Sequence, residues 1–430
     1  MAKGKKTEVL VPIDEQPYLI PKNWQWVYLT DGYAECKDSF RKPINSTERA
    51  GRVGAIPYYG ATGQVGWIDD FLTDEELVLL GEDGAPFLDL YKDKAYIING
   101  KAWVNNHAHV LKSYYGHAGN ICLMHYLNIF NFTGYVNGTT RMKLTQASMD
   151  TIPVPLPPIP EQQRIVDRIE SLFAKLDEAK EKAQVVVEGF EDRKAAILHQ
   201  AFTGELTAKW RKKNKISDDM WEKRELQSCA NVIGDGLHGT PVYDNNGQYY
   251  FINGNNFVDD HIEIKPDTKT VNQNEYKKYY IALSKERTVF VSINGTLGKT
   301  AFYNDEPVIL GKSACYVNVN EKLNKFFLRY FFESKEFLSY ANEKATGSTI
   351  KNLGLKAMRG LLIDLPSLDE QAEIVRQLDH FCSNENEVYT IAKRVISQID
   401  TMKKAILARA FRGELGTNDP SEPPAPIEIT

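Results

Sequence analysis

Hydrophobic residues recur with a seven-residue spacing in two long segments of this chain. The first segment has apolar or small side chains at two interleaved sets of positions, namely Ile165, Leu172, Ala179 and Val186, and Ile169, Leu176, Ala183, Phe190 and Ile197. The second has the same spacing at Ile374, Phe381, Val388, Val395 and Met402, and at Leu378, Ala392, Ile399 and Ile406. A seam of period 3.5 predicts a long helix that packs against another helix. At ~1.5 Å per residue, a helix from Gln162 to Phe202 would be ~60 Å long.

Start and stop signals bound both predicted helices. The proline-rich stretch IPVPLPPIP cannot be helical, and Pro160 precedes the first helix as Asp369 precedes the second. Glu161 and Glu370 then place a negative charge in the first turn, where it interacts favourably with the helix dipole. After the last aromatic residue of each segment, Gly204 and Gly413 are expected to end the helix.

The two helical segments are copies of each other. Leu156–Leu206 aligns with Leu365–Leu415 without a gap at an offset of 209, and 18 of the 51 paired positions are identical. The register continues upstream, where Gly138, Thr140, Leu144 and Met149 align with Gly347, Thr349, Leu353 and Met358. The chain is therefore an internal duplication with two different inserts.

Two such helices in one chain pair most simply with each other. Antiparallel pairing would relate the two halves by a pseudo-twofold axis. One interpretation is a structural hairpin with no further role. The other is a docking site for partner subunits, which is favoured by small faces at Ala195, Ala196, Ala201, Ala405, Ala408 and Ala410.

The inserts are of comparable size and mixed in predicted structure. Each begins with a tryptophan followed by a leucine, at Trp24 and Leu29 and at Trp221 and Leu226. Strand-like runs bounded by turn residues are YAECK, VLLGED, AYIING and KAWVNNHAHVLK in the first insert, and QYYFING, RTVFVSING and ACYVNVN in the second. Short helices are expected at Gly119–Phe130 and Lys325–Phe337. The fold class predicted is α+β, with two mixed α/β domains, each followed by a long helix.

These patterns give a set of domain boundaries. The charged linker AKWRKKNKISDDM separates the first helix from the second insert, and the proline-rich end from Thr417 is expected to be disordered. The predicted segments are 1–17 (extension), 18–157 (first domain), 158–206 (first helix), 207–220 (linker), 221–366 (second domain), 367–415 (second helix) and 416–430 (tail).

Composition narrows the class of protein. The chain has 430 residues, 42% hydrophobic and 25% charged, which is typical of a globular protein with several domains. No apolar run is long enough for a membrane span, and MAKGKK is not followed by a signal-peptide core, so a cytoplasmic location is expected. Five scattered cysteines support neither a disulfide framework nor a zinc ribbon. The net charge is −5, and only residues 207–364 are basic overall, with 23 basic and 19 acidic residues, so a nucleic-acid surface must be local.

No set of catalytic residues is recognisable. SINGTLGKT resembles a phosphate loop, but Ile293 stands where that motif needs its first glycine. His107, His109, His117 and Cys122 suggest a metal only weakly, because the histidines alternate along a predicted strand without an acidic partner pair. The chain also lacks GxSxG, HExxH and the NPPF or NPPY tetrapeptide of adenine methyltransferases. A self-contained enzyme such as a nuclease is therefore disfavoured.

The inserts instead carry loops suited to reading the polar edges of bases. Their amides are able to contact adenine bidentately, and their basic residues to hold phosphates. Arg141 and Lys143 lie where the duplicated register is already established, so they could equally serve packing or phosphate contact. The candidate DNA-binding residues are Tyr58, Tyr59, Lys101, Asn105, Asn106, Arg141 and Lys143 in the first insert, and His238, Thr240, Tyr243, Asn253, Asn255, Asn256, Thr296, Lys299 and Lys312 in the second.

The duplicated blocks LPPIPEQQRIV and AILHQAFTGEL, each after a variable region that begins with tryptophan, resemble the specificity subunit of type I restriction-modification enzymes. The resemblance covers roughly residues 18–415. It implies two target recognition domains that each read one half of an asymmetric bipartite site in double-stranded DNA, held apart by helices that set the spacing. The chain itself would be non-catalytic.

The same resemblance implies partners. Two adenine methyltransferase subunits would bind the helices, and two ATP-dependent restriction subunits would join them. S-adenosylmethionine would bind the methyltransferase, ATP and Mg the restriction subunit, and this chain would hold no cofactor or metal. The alternative is a structural coiled-coil adaptor without sequence-specific DNA binding, and a system that only methylates also stays open. The candidate partner-binding residues are Gln162, Ile165, Phe202, Gln371, Ile374 and Phe411.

Overall fold

A computed structural model describes residues 9–217, 221–347 and 350–427 and divides the chain into two compact units. Unit 1 consists of Met1–Gln184 and Lys393–Thr430, and unit 2 of Val185–Ala392. Each unit therefore contains one insert together with part of each long helical segment. This division follows from the duplication, because the chain enters and leaves each insert through equivalent positions.

Unit 1 contains strands β1–β12 and helices α1–α3. Helix α4 begins in unit 1 and ends in unit 2. The strands are Gln25–Tyr28, Ala34–Cys36, Ile56–Gly60, Gly63–Ile68, Thr73–Asp74, Leu77–Gly81, Ala95–Ile98, Lys101–Val104, Ala108–Ser113, Val136–Asn137, Lys143–Leu144 and Pro153–Leu156. The helices α1–α4 are Ser46–Ala50, Gly116–Ile129, Gln146–Met149 and Ile159–Glu188.

Two four-stranded sheets form the centre of unit 1, in the orders β2-β9-β6-β7 and β4-β3-β8-β5. Strand β6 is buried along its whole length, because Val78 and Leu80 pack in the core that contains α2. Leu77 and Leu79 point the other way and pack with residues of the second sheet. A continuous apolar run rather than an alternating one is the expected sequence of such a doubly covered strand.

Unit 2 contains strands β13–β23 and helices α5–α10. Helix α11 begins in unit 2 and ends in unit 1. The strands are Glu222–Glu225, Ala230–Asp235, Tyr249–Ile252, Phe257–Val258, His261–Ile262, Thr270–Val271, Thr288–Ser292, Thr300–Phe302, Val308–Leu310, Ala314–Val319 and Leu362–Leu365. The helices α5–α11 are Phe190–Phe202, Ala208–Asn214, Gln273–Lys278, Lys325–Glu333, Lys335–Lys344, Leu355–Arg359 and Leu368–Ala410.

The sheets of unit 2 repeat the topology of unit 1. The order β14-β22-β19-β20 corresponds to β2-β9-β6-β7, and the parallel pair β15 and β21 corresponds to the parallel pair β3 and β8. Strand β19 is also buried on both faces, with Val289 and Val291 in one core and Phe290 in another. The two inserts thus share one fold, which the dissimilar sequences did not reveal. The predicted α+β class is confirmed.

The first long helix differs from its prediction. It begins at Ile159 rather than Gln162, and it is interrupted at Gly189, where φ is −80° and ψ is 0°, so that α4 and α5 are separate helices. Glycine is a weak helix former, and this one occupies a position that no heptad residue uses. The second copy runs unbroken from Leu368 to Ala410. Gly204 and Gly413 adopt positive φ after the helices, as expected for stop signals.

Within each unit the segments of the two long helices run antiparallel. In unit 1, Ile165 and Ile169 share a core with Leu407 and Phe411, and further along Asp177 binds Lys403 at 2.6 Å. In unit 2, α5 packs on the first part of α11, where Arg193 binds Glu385 at 2.8 Å. The pseudo-twofold relation of the two halves stays a prediction.

The predicted linker and the predicted tail are both ordered by contacts with buried carboxylates. Within the predicted linker, residues 208–214 form α6, and its Arg211 is buried against Glu370 at 2.7 Å. The tail, predicted to be disordered from Thr417, packs on unit 1 over residues 417–427, where Asn418 donates to Glu161 at 2.8 Å. The prediction failed there because the tail's polar residues find partners in the fold. The linker residues 218–220 and the tail residues 428–430 lie outside the described part of the chain.

Candidate nucleic-acid interface

In unit 2, several candidate residues lie on one edge of the sheets. Strands β15 and β21 end side by side, and Gly311 donates its backbone N–H to the Ile252 oxygen at 2.8 Å. The loop after β14 lies beside these strand ends, because the backbone N–H of Leu237 donates to the Leu310 oxygen at 2.7 Å. The turn after β19 lies there as well, because Ile293 donates to Ser313 at 3.0 Å. We call this surface the unit 2 edge, and it comprises residues 237–238, 253–256, 293–299, 311–313 and 350–352.

Unit 1 has the corresponding surface, which we call the unit 1 edge. It comprises residues 59–60, 82–84, 105–107 and 141–143. Asn105 donates its backbone N–H to Tyr59 at 3.1 Å, and Glu82 donates to His107 at 2.8 Å. The structure therefore brings Tyr59, Asn105, Asn106, Arg141 and Lys143 together on one edge.

Backbone hydrogen bonds make the two edges equivalent position by position. Leu144 donates to Glu82 at 2.7 Å, and its counterpart Leu353 donates to Ile293 at 2.8 Å. The backbone N–H of Gly84 donates to the Met142 oxygen at 2.9 Å, and that of Gly295 donates to the Lys351 oxygen at the same distance. Asp83, His107 and Arg141 thus correspond to Asn294, Ser313 and Ile350. The frame is common to both units, whereas the side chains mounted on it differ.

The structure separates the candidate amides of unit 2 into two groups. Asn253 and Asn256 form a capping box, and the Asn256 side chain also donates to the Glu263 oxygen at 2.9 Å, so these two amides hold the loop itself. Asn255 between them is exposed, and its side chain has no hydrogen bond among the described residues. Of the three amides, Asn255 is therefore the one available to a ligand.

The other candidates of unit 2 vary in position. His238, Thr296, Lys299 and Lys312 are exposed on the unit 2 edge, and His238 is held by Asp235 at 2.7 Å. In the part of the chain that the structure describes, neither Lys299 nor Lys312 has an ion-pair partner. Thr240 and Tyr243 follow on an exposed segment, and Tyr243 pairs with Val271 away from the edge.

Three candidates of unit 1 are not available on the unit 1 edge, because two are buried and one lies elsewhere. Tyr58 is buried, with the Arg49 guanidinium 5.0 Å from its ring. Lys101 lies at the opposite end of β8, above Phe71. Asn105 is buried, and its side-chain oxygen accepts a hydrogen bond from the backbone N–H of His107 at 2.8 Å, which shapes the turn. Asn106 beside it is exposed.

A charged cluster on the unit 1 edge contains three residues that the sequence did not single out as DNA ligands, namely Glu82, Asp83 and His107. Asp83 accepts hydrogen bonds from Arg141 at 2.9 Å and shares one with His107 at 2.7 Å. Glu82 next to it binds Lys143 at 3.0 Å. The signal available was the extended register, which aligns Arg141 with Ile350 and so marks a position where the two inserts differ in charge.

Behind this cluster lies a buried group of metal-ligand type. Asp38, Glu82 and His109 place ligand atoms within 4.8 Å of one another. Arg41 contacts both carboxylates, at 2.8 Å from Asp38, and Lys143 also binds Glu82, so two cationic side chains balance the two negative charges. Burial acts to raise the pKa of Asp38, but the hydrogen bond and charge of His109 together with Arg41 hold that pKa below its usual value. The group is therefore an ion-pair cluster that supports the edge.

The six candidate partner-binding residues occupy the cores of the units. Gln162 donates to the Pro157 oxygen at 3.0 Å, and Gln371 donates to Pro366 at 2.9 Å, so each fixes the turn before its helix. The other four are buried apolar side chains, namely Ile165, Phe202, Ile374 and Phe411. Any docking surface on the helices must use their exposed neighbours instead.

Within the described residues, no helix combines the length and hydrophobicity that crossing a membrane requires. The family model for the type I restriction modification DNA specificity domain matches the chain twice, over residues 21–187 and 218–395. A crystal structure of the HsdS subunit from Thermoanaerobacter tengcongensis has a TM-score of 0.65 at 18% identity, covering 94% of this chain and all of that one. This likeness shows the fold.

Curated relatives agree. A putative type I restriction enzyme specificity subunit of Haemophilus influenzae is 28% identical over 83% of this chain and 88% of its own length. The EcoKI specificity subunit of Escherichia coli is 24% identical over 65% of this chain, which spans 61% of that protein. Because the family model covers both halves of the duplication, this chain belongs to the family of type I restriction modification DNA specificity domains.

Proposed function

We propose that this chain is the DNA sequence-recognition subunit of a type I restriction-modification system. Unit 1 and unit 2 each read one half of an asymmetric bipartite site in double-stranded DNA, through the unit 1 edge and the unit 2 edge. The chain contributes recognition, and the catalytic steps belong to partner subunits, since the relatives described above are specificity subunits.

One observation carries the proposal. The two edges have the same backbone hydrogen bonds but different side chains at equivalent positions, with Asp83 and Arg141 in one and Asn294 and Ile350 in the other. A shared frame suits two readers of the same kind of ligand. Different side chains on that frame suit two different short sequences, because base edges are discriminated by donor and acceptor patterns.

The partners follow from this role. Two adenine methyltransferase subunits bind the exposed faces of the long helices, and two restriction subunits join the larger assembly in the cytoplasm. S-adenosylmethionine then belongs to the methyltransferase, and ATP and Mg to the restriction subunit. The helical segments that connect the units set the length of the unread spacer between the half-sites.

Methylome sequencing of a host that expresses the chain with its methyltransferase tests the proposal. We expect one methylated motif with two short specific elements and a fixed spacer of any sequence. Footprinting of the complex should give two protected patches with an indifferent gap between them. A continuous footprint, or a palindromic motif, contradicts the bipartite model.

The structural adaptor is the competing function, and a gel shift separates the two. Sequence-specific retention of DNA in the presence of the methyltransferase supports recognition, whereas an adaptor gives no specific retention at any salt concentration. The salt series matters because non-specific phosphate contacts weaken steeply as salt rises. Matched duplexes with and without the methylated motif supply the control.

A further inference from the structure

We infer that Arg141 reads a guanine in the half-site bound by unit 1, and that Asp83 holds its guanidinium for this task. The inference rests on the proposed function, and it assigns one base pair of the site to one side chain. The residues that carry it are Asp83, His107 and Arg141, which we call the charged trio.

The geometry presents the guanidinium to a ligand. The Arg141 side chain is 59% exposed, while its partner Asp83 is 20% exposed, so the carboxylate lies beneath and the guanidinium outermost. Among the described residues, the contacts of the Arg141 guanidinium come from one nitrogen, Nη2, to Asp83 and to His107 at 3.3 Å. The remaining N–H groups of the planar fork are free to point away from the protein.

The backbone at Gly84 approaches this side chain closely. Gly84 has a φ of +70°, and a Cβ there would lie 3.2 Å from Nε of Arg141. At the equivalent Gly295, with a φ of +77°, a Cβ would meet nothing within 4 Å, because Ile350 does not reach it. Both glycines serve the turn, but in unit 1 the glycine also accommodates the guanidinium.

The fold itself does not require the charged trio. Unit 2 keeps the same turn and the same backbone hydrogen bonds with Asn294, Ser313 and Ile350 in its place. Gly138 and Gly347 even make the same close approach, with an added Cβ 2.5 Å from the Arg141 oxygen and 2.3 Å from the Ile350 oxygen. An ion pair whose guanidinium lies in solvent also contributes little to stability. A structural role is therefore insufficient to account for the trio.

The chemistry selects guanine among the bases. A guanidinium with two parallel N–H groups matches O6 and N7 of guanine in the major groove, and this is the commonest base-specific contact of arginine. A carboxylate behind the guanidinium fixes its plane before binding, which lowers the entropy lost on contact. Asp83 is thus a positioning residue, and Arg141 the residue that touches the base.

Methylome sequencing of variants tests the assignment in the full chain with its methyltransferase. We expect Arg141→Ala to relax one guanine position in one half-site to any base, with every other position unchanged. Asp83→Asn should relax the same position partially. Arg52→Ala removes an arginine with an aspartate partner elsewhere in unit 1, at 2.6 Å from Asp69, and should leave the motif as it is. An unchanged motif in Arg141→Ala overturns the inference.

Transplanting the trio gives a second, independent test. The triple variant Asn294→Asp, Ser313→His and Ile350→Arg should create a new guanine requirement in the other half-site. Thermal unfolding first establishes that the variant is folded. A folded triple variant that keeps the original preference contradicts the equivalence of the two edges and with it the assignment. If the unmodified chain directs no methylation motif at all, the proposed function fails rather than this step alone.

Binding measurements locate the contact on the base. Replacing the assigned guanine by 7-deazaguanine removes only the N7 acceptor. Fluorescence anisotropy then measures the affinity of the complex for this duplex. At fixed salt we expect the unmodified chain to bind the 7-deazaguanine duplex roughly tenfold more weakly than the guanine duplex. The Arg141→Ala variant should bind the two duplexes equally. Equal binding of both duplexes by the unmodified chain overturns the contact to N7.

Discussion

Glu161 is a fully buried carboxylate at the start of α4, and three donors surround it. Trp24 donates from Nε1 at 2.7 Å, Asn418 from Nδ2 at 2.8 Å and Thr417 from Oγ1 at 3.2 Å. Its duplicate Glu370 is buried in the same way, with Thr207 at 2.6 Å and Arg211 at 2.7 Å. The two duplicated carboxylates therefore each bind the segment that follows the other long helix.

Replacing Glu161 by alanine should lower the free energy of unfolding of unit 1 by about 3 kcal/mol, because buried donors lose their acceptor. Glu161→Gln should cost less, since one oxygen remains to accept. Denaturant unfolding followed by tryptophan fluorescence measures both. Gln163→Ala changes an exposed neighbour on the same turn and serves as control. Equal effects of the two alanine variants would contradict a stabilising role for the carboxylate.

His125 gives unit 1 a dependence on pH. Burial and the nearby Lys404 charge lower its pKa to about 4, against the opposing influence of Asp93. The unfolded chain, with a histidine pKa of about 6.5, then binds a proton between about pH 6.5 and 4 that the folded chain does not. Stability is therefore fully present above about pH 6.5 and is lost as the pH falls towards 4.

Between pH 7 and pH 4.5, His125→Gln should reduce the pH-dependent loss in the free energy of unfolding by roughly 1–3 kcal/mol. The midpoint of denaturant unfolding, measured at several pH values, checks it. His117→Gln replaces an exposed histidine of the same helix and serves as the control. A slope that survives His125→Gln places the titration elsewhere.

At the scale of elements, α11 presents apolar side chains to solvent. Val388 and Ile391 are 45% and 48% exposed, and they lie one turn apart. With the six predicted docking residues buried, this face is the stronger candidate for methyltransferase binding. We expect the double variant Val388→Lys and Ile391→Lys to weaken co-purification of the methyltransferase without unfolding unit 2. Glu387→Lys replaces a negative charge by a positive one at an exposed neighbouring position and should retain the partner. Undiminished co-purification of the double variant would move the docking surface elsewhere.

The tail is an element of unit 1 rather than an appendage. Glu422 accepts both Arg164 Nη1 at 2.9 Å and Nη2 at 2.8 Å, and Ala425 is buried. A chain that ends at Gly416 should unfold at lower temperature, with a loss of about 2–4 kcal/mol from these contacts. Differential scanning calorimetry measures the shift, and removal of residues 428–430 alone is the control. An unshifted transition would mean that the tail contacts contribute nothing to stability.

Sequence periodicity predicted elements better than it predicted their partners. The heptads located both long helices because an apolar stripe must be covered, but a stripe does not say what covers it. The burial of Gln162 and Gln371 could not be predicted from the apolar stripe, because both side chains are polar. Each is buried because it donates to a carbonyl five residues earlier, in the turn before its helix. The interruption at Gly189 was missed because one glycine inside a long helix is often tolerated.

The shared fold of the inserts could not be predicted for a related reason. Its defining pairs, such as Tyr250 with Val308 and Tyr58 with Trp103, are distant in sequence and differ in side chain between the units. For the candidate site, the sequence identified the right loops but not which amides are free. That distinction depends on local hydrogen bonds, which engage Asn256 and leave Asn255 open.

For the whole molecule, the chain passes between the units twice, through α4 and through α11. If these connections set the spacer, a heptad inserted into both helices, after Gln184 and after Ala392, should lengthen it. Seven helical residues add ~10 Å, which corresponds to about three base pairs. Methylome sequencing of the lengthened chain checks this. A motif with its original spacer contradicts the idea that the helices measure the site.

The backbone bonds that join Leu144 to Glu82 and Leu353 to Ile293 have a consequence for evolution. Since they hold each edge without help from its outward side chains, point mutations at Asp83, Arg141 or Ile350 meet little selection for folding. Under the proposed function, variants with new target preferences are then accessible by drift, one base pair at a time. Each half of the duplicated gene can therefore change its outward side chains without disturbing the fold of the other half.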